Sequence, residues 1–98
     1  MKAFLSKRAV RAAERIDARW REHADDPGVF ARELLEAIEL IETTQSPGAP
    51  FPTPRHPLLK RVLLRKSRCH LYFEIDDASQ SIQILHVWDG RRERAPKL

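Results

Sequence analysis

Three arginines crowd the end of the chain, in Trp88-Asp89-Gly90-Arg91-Arg92-Glu93-Arg94. Arginine stays charged at any physiological pH and presents a planar fork of donors that matches a carboxylate or a phosphate. Arg91, Arg92 and Arg94 stand too close together to be needed for folding, so with Trp88 and Asp89 they are the first candidates for contact with another molecule. A second set of cations, Lys60, Arg61, Arg65 and Arg68, lies just upstream, with His70 and His86 as side chains able to exchange a proton near neutral pH. The bland alternatives are real. An exposed strand histidine is more often a polar surface residue than a catalyst, His56 in a proline loop more so, and Trp88 fits an aromatic that closes a core better than one that stacks on a base.

These residues need a rigid support, and the sequence supplies a hairpin. In Arg68 to Asp76, Leu71, Phe73 and Ile75 alternate with His70, Tyr72 and Glu74, the period of a half-buried strand. Asp76-Asp77-Ala78-Ser79-Gln80 has the composition of a turn, and Ser81 to Arg92 returns as the partner strand. Alternation there sets Ile82, Ile84 and Trp88 on one side and Leu85 and Val87 on the other, so both sides are partly apolar. Leu58 to Lys66 reads as a third strand, with Val62 and Leu64 opposite Arg61, Leu63 and Arg65, and Lys66-Ser67 turns into the hairpin.

Upstream, Lys2 to Leu5 is a possible short strand, and Ser6 is placed to cap a helix running to about Ala24. Val10, Ala13, Ile16 and Trp20 form its apolar stripe, while Arg8, Arg11, Arg15 and Arg19 share another flank, a pattern that would suit a nucleic-acid stripe but is more commonly a solvated face. Asp25-Asp26-Pro27-Gly28 ends that helix and opens a second, with Asp26 as its cap. Phe30, Leu34, Ala37, Ile38 and Ile41 make the second stripe, widened by Leu35 and Leu40, with Glu33, Glu36, Glu39 and Glu42 outside. Four acids on one solvated helix without histidine rarely fix a cation, so no metal and no cofactor is expected. Prolines at 47, 50, 52, 54 and 57 make an extended connector to the sheet rather than a helix or central strand. The expected fold class is α+β in two layers: an N-terminal helical hairpin packed on a three- to four-stranded antiparallel sheet.

The 98 residues are expected to form a single domain spanning 1–98. The net charge of +4 is uneven: residues 1–54 carry eight Lys/Arg against nine Asp/Glu, and residues 55–98 carry ten against five. A basic sheet half follows, suited to nucleic acid or to an acidic protein. Cys69, the lone cysteine, reads as a small core residue in a reducing compartment. With no long apolar run and no signal-peptide core at Met1 to Ser6, the expected location is the cytoplasm.

The order of elements, Asp26-Pro27, Pro47-Gly48, Tyr72-Phe73-Glu74-Ile75 and the ending Ile82-Gln83-Ile84-Leu85-His86-Val87-Trp88-Asp89-Gly90-Arg91-Arg92 resemble the RelE/ParE superfamily of bacterial toxins, the ParE-like plasmid-stabilisation branch most closely. Members often end in valine, an apolar or aromatic residue, histidine, glycine and a basic pair; here Asp89 stands where that histidine usually does.

The resemblance implies a toxin of a type II toxin–antitoxin module, held inactive by a cognate antitoxin, with DNA gyrase the inferred target of a ParE-like member that acts by binding. Trp88, Asp89, Arg91, Arg92 and Arg94 would then touch the target. The alternative it implies is a RelE-like endoribonuclease acting on messenger RNA in the ribosome, with Lys60, Arg61, Arg65, Arg68, His86 and Arg91 as its catalytic set. That chemistry needs a proton acceptor, a proton donor and cations for the phosphorane. Tyr72 lies in mid-strand and nothing after Arg92 titrates near neutrality, so binding is the favoured expectation. Asp89 in the histidine's place leaves a third reading, a member that has lost toxicity.

Overall fold

Ser6 is where the chain turns from strand to helix. Its hydroxyl accepts from the Ala9 amide at 3.0 Å, taking up an orphan donor of the first turn, and itself donates to the Leu85 carbonyl at 2.9 Å. One side chain thus caps the helix and ties it to a strand 79 residues on. The computed structural model describes residues 1–23, 25–44, 48–91 and 94–98. Ala24, Pro47 and Arg92, each named in an expectation above, lie outside them.

The elements run β1 (Lys2–Leu5), α1 (Lys7–His23), α2 (Val29–Thr44), β2 (Ala49–Pro50), β3 (Lys60–Leu64), β4 (Cys69–Asp76) and β5 (Ser81–Asp89). Among the described residues they make one five-stranded sheet of order β1-β5-β4-β3-β2, with both helices packed on one face. The α+β, two-layer expectation is met with two corrections. The sheet is mixed, because β1 pairs parallel with β5, Lys2 opposite Ser81 through Leu5 opposite Ile84. The proline connector also contributes a two-residue edge strand, Ala49 and Pro50 opposite Arg61 and Lys60, a place where a missing amide costs least.

The core joins Ala9, Ala12 and Ile16 of α1 and Phe30, Leu34, Ala37 and Ile41 of α2 to Leu64, Cys69, Leu71, Phe73, Ile82, Ile84 and Val87 of the sheet. Val10, Leu35 and Leu40, expected in the apolar stripes, are instead exposed. Ala9 and Ala12 take the place against the sheet because their lack of side-chain bulk lets α1 approach β5 closely. Nor does the Asp26 side chain cap α2; it pairs with Arg32, and its backbone carbonyl takes the Val29 amide. Two acids of the outward-facing set fasten α2 at its ends. Glu33 accepts from the Lys66 and Ser67 amides at 2.7 Å each, and Glu42 accepts from Ala3 of β1 at 2.8 Å.

The β4–β5 hairpin decides which side chains reach solvent together. Cys69 lies opposite Asp89, Leu71 opposite Val87 and Tyr72 opposite His86, but Phe73 pairs with Ile84, so Leu85 is bulged out. A bulge reverses the alternation beyond it. Ile82, Ile84, Val87 and Asp89 all face the helices, and His86 and Trp88 face away. This corrects the expectation that Trp88 shares a side with Ile82 and Ile84.

Candidate interaction site on the outer sheet face

Two cross-strand rows build the face opposite the helices. Arg61 of β3, Tyr72 of β4 and His86 of β5 stand in one row, and Leu63, His70 and Trp88 stand in the next. Side chains two apart along a strand share its face, and here they set rings next to one another on both β4 and β5. His70 and Tyr72 lie 6.3 Å apart between centroids, and His86 and Trp88 lie 5.5 Å apart. Tyr72 is 1% exposed although it faces away from the core, because Phe51 of the proline loop packs edge-on against it at 5.3 Å. The Arg61 guanidinium sits 4.7 Å above that Phe51 ring, a cation–π contact that holds its charge at the rim. The loop itself is fastened by the Phe51 amide to the Leu59 carbonyl at 2.9 Å and by His56 Nδ1 to Glu74 at 3.1 Å.

Between these groups lies an open depression lined by Arg61, His70, Tyr72, Trp88, Gly90, Arg94 and Ala95. At about 270 Å³ it falls just short of the ~300–1,000 Å³ of small-molecule clefts and suits the surface of a larger partner. Burial and the neighbouring positive charge of Arg61 lower the pKa of His70 below the usual histidine range, so its imidazole is neutral at pH 7. Neutral imidazole, flanked by aromatic faces and two guanidinium-bearing residues, can accept a hydrogen bond and stack.

The charged tip sits around the other edge. Asp89 is 6% exposed, and its carboxylate lies between β5 and α1. It accepts from the Arg91 amide at 3.0 Å, from Arg91 Nε and Nη2 at 3.2 and 3.1 Å, and from Arg19 Nη2 at 3.1 Å. Burial pushes the Asp89 carboxyl up, but the hydrogen bonds from Arg91 and the charges of Arg91 and Arg19 outweigh it and hold the pKa below the ordinary aspartate value. The next residue completes the tip: the Gly90 amide donates to the Arg68 carbonyl at 2.8 Å, and a Cβ on Gly90 would meet that oxygen at 2.3 Å.

The candidates named from the sequence are therefore distributed rather than gathered. Trp88 and Arg94 line the depression with Arg61. Asp89 and Arg91 belong to the clamp on the helix side, Asp89 internally engaged and Arg91 61% exposed, and Arg92 is outside the described residues. His86 is buried in the Tyr72 row. Lys60, level with Phe73, takes the helix side of β3, and Arg65 and Arg68 are exposed in the β3–β4 turn, Arg68 with φ of 58°. No local pattern signals the role of Phe51 or the meeting of Arg19, from the α1 arginine flank, with Asp89: each reaches its partner across a long stretch of chain. Among the described residues no group of histidine, cysteine and acids could hold a metal ion, and no helix is long and apolar enough to cross a membrane.

No protein-family model matches the chain, and no curated protein matches it. Solved structures do. The chromosomal ParDE TA system from P. aeruginosa superposes with a TM-score of 0.72 at 16% identity over 91% of this chain and 95% of that one. A YoeB/ParE toxin from Agrobacterium tumefaciens gives 0.63 at 11% identity over 91% and 98%. The isolated E. coli RelE toxin gives 0.58 at 16% identity over 95% and 87%. Two helices laid on one face of a sheet whose first strand runs parallel to its last are thus the fold of the RelE/ParE toxins.

Proposed function

We propose that this protein is the toxin of a type II toxin–antitoxin module, ParE-like, arresting growth by binding its target and neutralised by a cognate antitoxin. DNA gyrase is the target inferred from the family resemblance. The observation that carries this reading is the outer face. It is an open, ring-lined surface rimmed by Arg61 and Arg94, while Lys60 takes the helix side of β3 and neither Arg65 nor Arg68 is among the residues that line it. The structural neighbours support the toxin reading, since they include a ParDE TA system and an intact E. coli RelBE toxin–antitoxin complex. On this reading Trp88 and Arg94 touch the target directly, Arg91 and Arg92 supply charge at its margin, and Asp89 serves from within. The antitoxin is expected to add an extended or helical segment with acidic side chains to the basic half of the molecule.

One feature favours a second reading, a RelE-like ribosome-dependent messenger RNA endoribonuclease. His70 is neutral and next to Arg61, Tyr72 and Trp88, a group that could accept a proton beside a cation and a stacking platform. Inducing the chain without antitoxin separates the two. Loss of plasmid supercoiling with DNA damage supports the binding toxin; codon-specific breaks in translated message, mapped by primer extension, support the nuclease. Unimpaired growth with confirmed expression would mean a member without toxicity.

A further inference from the structure

The arginine flank of α1 is used by neither reading. Arg8, Arg11, Arg15 and Arg19 follow one another at spacings of three, four and four, which at ~100° per residue confines them to about 80° of the helix circumference. All four are exposed, and α1 turns Ala9, Ala12 and Ile16 toward the sheet beside them. At ~1.5 Å per residue the row is about 16 Å long. It borders a groove against β5, where Arg15 and Arg19 meet Trp88 and Asp89, and Arg91 continues it past the strand end. Of these five arginines, Arg19 and Arg91 share the Asp89 carboxylate, Arg8 donates to the Lys97 carbonyl at 2.9 Å, and Arg11 and Arg15 make no ion pair among the described residues. Of the acids within α1 between Arg8 and Arg19, Asp17 lies on the far flank, held by Arg21 at 2.9 Å, and Glu14 stands at the margin of the row, about 60° from Arg11 and about 100° or more from Arg8, Arg15 and Arg19. Glu22 comes in line only a turn beyond Arg19.

We infer that this ridge, Arg8 to Arg19 with Arg91, is a docking surface for a phosphodiester backbone. The partner's chemistry follows from the shape of the charge. A peptide helix or strand needs apolar anchors beside its charges. The arginine row itself carries none: the exposed apolar residue of α1, Val10, lies about 140° round the helix, and Trp88 in the neighbouring groove is a single ring of the kind that stacks on a base. A straight row of guanidiniums fits a polymer that carries one anion per repeat, and phosphate contacts position such a polymer without reading its sequence. The inference does not depend on the toxin reading, because it uses none of the residues of the outer-face depression except through the shared β5 tip.

The test is fluorescence anisotropy of the full chain with a labelled DNA duplex, a labelled single-stranded RNA and a labelled poly-glutamate peptide, each from about 50 to 200 mM salt. Binding to at least one nucleic acid with a steep salt dependence is expected, the two arms telling duplex DNA from RNA. Arg11→Gln with Arg15→Gln should lower the slope of log K against log salt by roughly 1.8 on DNA or 1.4 on RNA, two contacts' worth. Arg55→Gln with Lys66→Gln, equal in net charge but off the ridge, should leave the slope unchanged, and Arg11→Lys with Arg15→Lys should retain it. Equal losses in the ridge and control pairs would reduce the effect to net charge and overturn the inference. So would an absence of nucleic-acid binding at low salt, or poly-glutamate binding as tightly as both nucleic acids.

Discussion

Replacing Asp89 with asparagine keeps the shape of the clamp and removes its charge. The carboxylate takes three hydrogen bonds from Arg91 and one from Arg19, all charge-assisted because the acceptor is ionised, and three of them with a charged donor as well. A full set of buried charged bonds would be worth several kcal/mol, but Arg19 is 47% and Arg91 61% exposed, so water takes over much of what they lose. Asparagine also retains one acceptor oxygen and adds an amide facing two guanidiniums. A net loss of about 1.5 kcal/mol is expected, roughly 6–12 °C in Tm for a domain of this size. The pH dependence carries the sharper signature. The folded pKa of Asp89 lies below the ordinary value of 3.8, so its contribution is complete above that value and disappears as pH falls through the folded pKa. Circular dichroism melts of both proteins should therefore differ at pH 7 and converge as the pH drops below 3.8 toward 2. A gap of the same size at both ends, or none at pH 7, would show that the Arg19–Asp89–Arg91 cluster contributes nothing through charge.

Three further outcomes are expected. Gly90→Ala forces a Cβ against the Arg68 carbonyl and should destabilise the β5 tip by about 1–3 kcal/mol, with loss of Gly90 amide protection in hydrogen exchange as the local readout. Glu33→Ala strips the acceptor from two backbone amides of the β3–β4 turn and should cost about 1–2 kcal/mol in denaturant unfolding, whereas Leu35→Ala, at a side chain 66% exposed, should cost almost nothing. Burial pushes the Cys69 thiol up to about 11, so a thiol reagent at pH 8 should fail to label the folded protein and label it rapidly once it is unfolded.

Local pattern carried far in this chain because two of its signals have one meaning each. The alternation of Leu71, Phe73 and Ile75 admits a single inside, and the Ser6 cap with the spacing of Phe30, Leu34, Ala37 and Ile41 leaves little doubt about the helices. The α1 stripe is less legible. Val10 outranks Ala9 in hydrophobicity, yet close approach to β5 favours the alanine, a preference that exists only once the strand is there.

The sequence by itself determined the helical hairpin, the three longer strands and the concentration of positive charge in the later half, since propensity, periodicity and turn chemistry act over neighbouring residues. Which side of β5 each residue faces was decided by the bulge at Leu85, which inverts the alternation and sends Trp88 out and Asp89 in. The parallel pairing of β1 and the meeting of Arg19 with Asp89, 70 residues apart, also belong to the tertiary structure. Both depend on packing between distant segments, and a buried carboxylate is tolerable only where such packing delivers its counter-charge.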